Sequence, residues 1–350
     1  MCGYAESLTD DNMKIAIIGF PGSGKSTCFR AVTQKTKNES DILDPTKPHI
    51  GVVKVRDRRL EKLAKIYHPK QITSAEIQFE DLPGFNLSSI KDIEALMQVL
   101  GIFSGRDAVK DVEKMRVEFM LADLEIIDHR LPGLEKELKQ EKTREKKLEV
   151  DILSRFKDTL LDNSPLSSLQ LNPAEEKQIR GYQFLSLKPL CIFGNVDEAK
   201  QDRDNIERLE KFCDSNNIKY IEFCAKLEAE ILDIEEKERS SFLNEMGIAE
   251  SARDKAVRLA YDTLNYITFF TVKGDETKAW AVKRGISAIE AAGRIHSDIQ
   301  KGFIKAEVLN FNELESSGSP YEAKRKGLLR LEGKEYKICD GDIIDFKFNV

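Results

Sequence analysis

Short apolar runs bounded by turn residues alternate with amphipathic stretches along most of the chain. Lys-Ile-Ala-Ile-Ile (14–18), residues 96–103 and residues 189–194 are apolar on both faces of an extended chain, which predicts buried strands. Residues 50–55 predict another strand, followed by Arg58, Leu60, Leu63, Ala64 and Ile66 at helical spacing. Residues 76–81 alternate polar with apolar, and residues 218–224 add a further strand. Strands alternating with helical segments predict an α/β fold with a mostly parallel sheet.

From about Val109 the period changes. Met120, Leu124, Ile127, Leu131, Leu134 and Leu138 recur in steps of four and three, and Leu148, Ile152, Leu153, Phe156 and Leu160 carry a second helical stripe. The charged run 135–147 lies between them, so two helices doubling back as an antiparallel arm is the economical picture. Pro132 has no N–H for the carbonyl of Asp128, so a kink or interruption is expected there. Asn172-Pro173-Ala174-Glu175 has the pattern of a capped helix start. After a helix near 250–264, residues 265–272 open a separate strand-rich unit. The expected division is 13–107 with 187–265 as one domain, 108–186 as an inserted arm, and 266–350 as a C-terminal domain.

Composition narrows the class. A length of 350 residues suffices for two or three cores. With 41% hydrophobic and 33% charged residues and no long apolar run, a cytoplasmic chain without a membrane span is expected. The six cysteines show no C-x-x-C pair, and Cys191 and Cys224 lie in apolar runs, so reduced core thiols are expected. A net charge of −6 argues against unspecific coating of nucleic acid.

The chemistry concentrates after the first strand. Gly19-x-x-x-x-Gly24-Lys25-Ser26 joins a strand to a helix, the context of a phosphate-binding loop. In such a loop, backbone N–H groups and the helix N-terminus face an anion. The candidate contacts are Gly22, Ser23, Gly24, Lys25, Ser26 and Thr27, with Lys25 reaching the β- and γ-phosphates and Ser26 a magnesium ion. Asp81-x-x-Gly84 ends a strand about sixty residues on and suits a nucleotide switch: the carboxylate holds Mg2+ through water and the Gly84 N–H meets the γ-phosphate. Asn195-Val-Asp-Glu198 and the segment from Ala225-Lys226 stand at strand C-termini, where open α/β sheets collect ligands.

These motifs, with Phe269-Phe-Thr-Val, Lys278-Ala-Trp280, residues 291–298 and 302–308, and the closing stretch 331–350, resemble the YchF or Obg-like ATPase family from about residue 13 onward. The resemblance implies a P-loop, GTPase-like domain with an inserted helical arm and a C-terminal TGS domain of the ubiquitin-like β-grasp type. It implies a slow ATPase associated with ribosomes or ribosomal RNA, binding ATP in preference to GTP, with Mg2+; a monomer is the default. By similarity, Asn195 and the Val196 backbone read adenine, and Lys226 lies near the ribose or ring. Glu198 replaces the aspartate with which GTPases pair guanine N1–H and the 2-amino group. The chain also departs from the pattern: Gly22-Ser23 stand in the loop, His49 takes the place of a switch asparagine, and Thr46, a candidate metal ligand, falls one place from the usual threonine. Phe85 follows D-x-x-G where Ras-like GTPases have glutamine, so hydrolysis is expected to be slow and its catalytic group is not legible. Two alternatives stand beside this reading. One is a regulatory module that holds nucleotide without turnover. The other is a P-loop kinase, against which the lysine- and glutamate-rich arm offers no arginine cluster.

Overall fold

The computed structural model describes residues 13–34, 48–82, 90, 93–103, 105–198, 202–234, 236–246 and 250–349. β1 (Met13–Ile18) turns into α1 (Lys25–Thr33), followed by β2 (His49–Lys54), α2 (Arg58–Tyr67), β3 (Gln71–Thr73), β4 (Glu76–Asp81) and β5 (Ala95–Ile102). The long helices α3 (Ala108–Gln140) and α4 (Arg144–Leu161) come next, then α5 (Pro173–Ile179). β6 (Leu190–Val196), α6 (Arg203–Ser215), β7 (Lys219–Phe223), α7 (Ala225–Leu232), α8 (Glu236–Glu245) and α9 (Ala252–Leu264) return to the first sheet's pattern of strand and helix. The C-terminal part holds β8 (Tyr266–Lys273), β9 (Glu276–Lys283), α10 (Ala288–Ile295), α11 (Ser297–Lys301), β10 (Phe303–Asn310), α12 (Phe311–Ser317), α13 (Pro320–Arg325), β11 (Arg330–Glu332) and β12 (Asp342–Phe348).

The first sheet has the order β2-β4-β1-β5-β6-β7. β1 with β5, β5 with β6 and β6 with β7 are parallel. Every residue of β5 is buried, as a central strand covered on both faces must be. The chain leaves β1 toward one edge and returns at β5 on its other side, so the crevice between the carboxyl ends of β1 and β5 is a topological switch point.

α3 and α4 pack as the predicted antiparallel pair through Ile127, Leu131, Leu134, Ile152, Leu153, Phe156 and Leu160. Pro132 lies inside α3, which continues unbroken for 33 residues, so the expected interruption does not occur. One backbone hydrogen bond is missing at Pro132, and burial of Leu131 and Leu134 against α4 on either side of it outweighs that loss. Asp123, 0% exposed, accepts hydrogen bonds from Leu185 N (2.7 Å), Ser186 N (2.8 Å) and Ser186 Oγ (2.6 Å), fastening α3 to the segment that leads into β6. Burial raises the Asp123 carboxyl above its ordinary range, against the pull of these three bonds. Asn172 caps α5 in the reciprocal capping box read from the sequence.

By compactness the chain divides into residues 52–78 with 264–349, and residues 14–51 with 79–263. The first of these units therefore takes in α2 and β3, which the sequence places with the nucleotide-type domain. β3 extends the second sheet, order β11-β10-β12-β8-β9-β3, by pairing parallel to β9, and Arg59 of α2 forms an ion pair with Asp340 at 2.7 Å. β8 and β9 are antiparallel, β12 runs parallel to β8, and α10 lays Ala288, Ala291 and Ala292 on Phe269, Phe303 and Phe346. A mixed sheet packed on a helix fits the β-grasp type of C-terminal domain that the family resemblance implies.

Candidate nucleotide-binding site

The glycine-rich turn after β1 is held by backbone and packing before any ligand is considered. Ser23 N donates to Phe20 O at 3.1 Å, and Cys28 N donates to Gly24 O at 2.8 Å as the first bond of α1. Gly24 stands at φ 91°, ψ 15°, a left-handed conformation, and no side chain caps the helix that follows. The first-turn N–H groups of α1 therefore have no side-chain cap, an arrangement that suits an anion. Pro21, Gly22 and Ser26 are exposed, Thr27 is half-buried, and Ser23 is buried with its Oγ unpartnered. Below the loop, burial pushes the Cys28 thiol well above its ordinary range, and the nearby Asp81 carboxylate adds to the rise, so this cysteine is packing material.

β4 delivers the carboxylate. Asp81, 5% exposed, places Oδ1 2.9 Å from Lys25 Nζ, and the same ammonium donates to the carbonyl of Leu82. Asp81 Oδ1 is buried and makes no hydrogen bond of good geometry. The motif lysine and the strand-end aspartate, 56 positions apart, are therefore brought together. His49 begins β2 with its ring tilted at 44° against Phe29 of α1, centroids 6.3 Å apart. Thr46, Gly84 and Phe85 lie outside the described residues.

At the other end of the loop, Asn195 at the end of β6 is 5% exposed and uses both polar atoms within the protein. Its Nδ2 donates to Ser23 O at 3.1 Å and its Oδ1 accepts from Ala225 N at 3.0 Å. A Cβ on Gly24 would stand 2.2 Å from that Nδ2, so a glycine is required there by contact as well as by φ. The Val196 side chain is buried in an apolar cluster with Leu100, Ile192 and Leu209. Glu198 and Lys226 are exposed, with Nζ 3.6 Å from Oε1, and Lys226 also lies 4.0 Å from Glu230. Phosphate loop, strand-end carboxylate and the two segments after β6 and β7 thus share one unit. Sequence reasoning missed Arg106, whose Nη2 donates to Pro21 O at 3.0 Å, and Asn205, which holds the backbone around it. A lone arginine in a polar turn belongs to no motif, so only its contact reveals it.

A family model described as a 50S ribosome-binding GTPase matches residues 14–224, and the YchF-GTPase C-terminal model, described as a protein of unknown function, matches residues 266–349. The chain is 34% identical over 361 residues to the ribosome-binding ATPase YchF of Bacillus subtilis (strain 168), covering 95% of this chain and 98% of that protein. It is 30% identical over 361 residues to the protein of the same name from Escherichia coli O157:H7, covering 96% and 99%. The structure of the Schizosaccharomyces pombe YchF GTPase matches with a TM-score of 0.81 at 25% identity, over 96% of this chain and 98% of that one.

Proposed function

Because the chain belongs to the YchF family, we propose that it is a slow nucleoside-triphosphate hydrolase, favouring ATP, that works as a nucleotide-gated factor on the ribosome. The observation that carries this reading is the join made by Asn195 between the phosphate loop at Ser23 and the start of α7 at Ala225. One side chain sets the distance between a phosphate cradle and a base pocket, which a general anion site would not need.

Gly22, Ser23, Gly24, Lys25, Ser26 and Thr27 form the phosphate cradle, and Asn195, Val196, Glu198, Ala225 and Lys226 flank the base. Guanine presents N1–H and a 2-amino group to a carboxylate, and adenine presents neither. The longer Glu198, already beside Lys226 at 3.6 Å, is a poor substitute for the aspartate that would take those two bonds. The residues present fit Mg2+: Asp81 offers a buried carboxylate oxygen held here only by its ion pair with Lys25, and Ser26 an exposed hydroxyl at the helix start. When bound, the ion neutralises charge on the β- and γ-phosphate oxygens. This chain's own part is to hold the phosphates on the loop N–H groups and Lys25 and to keep the base end fixed through Asn195. Thr46 and Gly84 belong to the same proposal.

Ribosome association rests on the relatives' names and on the matched family description. Lys283, Arg284, Arg294 and Lys301 are exposed on the C-terminal unit and supply the cationic surface that ribosomal RNA requires. The test is a side-by-side titration of ATP and GTP. Wild type should bind ATP more tightly, Glu198→Asp should move the ratio toward GTP, and Lys25→Ala should bind neither. Equal affinities for both nucleotides in wild type and in Glu198→Asp would defeat the base assignment, and near-native binding by Lys25→Ala would defeat the site.

A further inference from the structure

Arg106 stands on the segment that leaves β5, on the opposite side of the switch-point crevice from the loop that leaves β1. Its Nη2 donates to Pro21 O at 3.0 Å and lies 3.3 Å from where a Cβ on Gly22 would be, so the guanidinium rests on the exposed rim of the phosphate loop. Pro21 O is its one hydrogen-bond partner among the described residues, so most of its five N–H donors have no partner among them.

The backbone that carries it is fastened on both sides. Asn205 of α6, 2% exposed, donates Nδ2 to Arg106 O at 2.6 Å and accepts from Ala108 N at 3.0 Å. Arg208 of the same helix pairs with Asp107 at 3.2 Å, and Asp107 caps α3. A buried asparagine with two backbone bonds around one exposed arginine is more than a loop closure needs. It presents a cation at a set place beside the loop.

The loop has a use for that cation. Lys25 is the cation of the motif, and its ammonium is already shared with Asp81 and Leu82 O. A triphosphate brings several negative charges, and a planar guanidinium suits two phosphate oxygens at once, which an ammonium does not. Resting on the proposed nucleotide site, we infer that Arg106 turns from Pro21 O onto the γ-phosphate of the bound triphosphate and is a catalytic residue supplied in cis. In hydrolysis the water oxygen bonds to the γ-phosphorus as its bond to the β–γ bridging oxygen breaks. The leaving diphosphate takes the bridging electron pair, and the water proton passes to the released phosphate. Arg106 stabilises the negative charge that spreads over the γ-phosphate oxygens on the way, which is the part an arginine plays in other P-loop hydrolases. It does not position water, so turnover stays slow.

The experiment uses the full chain with Arg106→Ala and Arg106→Lys, measuring affinity for ATP and ADP and single-turnover phosphate release. Arg106→Ala should weaken ATP about tenfold or more while leaving ADP unchanged, and slow single turnover about a hundredfold or more. Arg106→Lys should recover part of the ATP affinity and little of the rate, because the charge returns without the fork. Both variants should melt with wild type, since the side chain is exposed and the strut from Asn205 binds backbone. Equal weakening of ATP and ADP, or no change in either the affinities or the rate, overturns the assignment. Failure of wild type to bind ATP would instead defeat the nucleotide site itself, and the two failures are thereby distinguished.

Discussion

Gly24→Ala tests whether the phosphate loop and the base segments are one mechanical piece. Two penalties combine at this position. A residue with a Cβ held at φ 91° costs about 1–2 kcal/mol relative to glycine. The new Cβ would also stand 2.2 Å from Asn195 Nδ2, well inside contact distance, so Asn195 must leave. Its departure breaks the bonds to Ser23 O and from Ala225 N, each worth about 0.5–1.5 kcal/mol net. The sum is a destabilisation of about 2–5 kcal/mol, with loss of nucleotide binding. Urea unfolding of Gly24→Ala, Asn195→Ala and the double variant separates the two parts. With Asn195 already truncated the collision vanishes, so Gly24→Ala should then cost only its backbone share. The double variant should therefore be less destabilised than the sum of the singles by about 1–3 kcal/mol. Costs that add to within about 0.5 kcal/mol would refute the reasoning, because distant, independent sites behave that way.

Asp123→Asn puts an NH2 where one carboxylate oxygen now accepts, and should lower stability by about 1–3 kcal/mol in the same unfolding assay; an unchanged midpoint would mean that the three bonds to Leu185 and Ser186 do not hold α3. Glu228 of α7 is 8% exposed and accepts from Ala252 N at 2.7 Å, and burial raises its carboxyl above the ordinary value. Between that ordinary value, about 4.3, and the raised one, the folded protein binds more protons than the unfolded chain, so this group's contribution to stability falls as pH rises through the window and is level above it. Glu228→Gln keeps an acceptor for Ala252 N without the titration, so its melting temperature relative to wild type should climb as pH rises through the window and then hold; a difference flat with pH would show that Glu228 carries no such cost.

What could be read in the chain was whatever leaves a local pattern. All six strands of the first sheet announce themselves as apolar or alternating runs, and the heptad-like stripe from Met120 to Leu160 shows the arm. The phosphate loop is legible because a strand, two spaced glycines and a lysine must be contiguous. What was not legible depends on distance along the chain. β3 is three residues long and gets its identity from Glu276, Thr277 and Lys278 on β9, roughly two hundred positions away. Pro132 looks like a break until the buried leucines on either side are seen against α4. Asn195 is legible as the head of a strand-end tetrad, but the bonds by which it joins Ser23 to Ala225 are not. Arg106 carries no pattern at all.

The two ends of the proposed nucleotide site are held by bonds of different kinds. At the base end, Asn195 joins Ser23 to Ala225, and its bonds need no ligand to form. At the γ-phosphate end, Lys25 is held by Asp81 and Leu82 O, partners that a triphosphate must replace in whole or in part. On the proposed reading, the first arrangement sets where a nucleotide lies, and the second differs between filled and empty states by the partners of two cations, Lys25 and Arg106. A triphosphate that draws Lys25 onto its β- and γ-oxygens also frees Asp81, whose strand leads directly into residues 83–89. A diphosphate lacks the γ-group and competes less well with that carboxylate. On the proposed reading, the free-energy difference that a nucleotide-gated factor needs between its two states arises at the γ-phosphate end, at the Lys25–Asp81 pair together with Arg106, and the base end can remain fixed while it does.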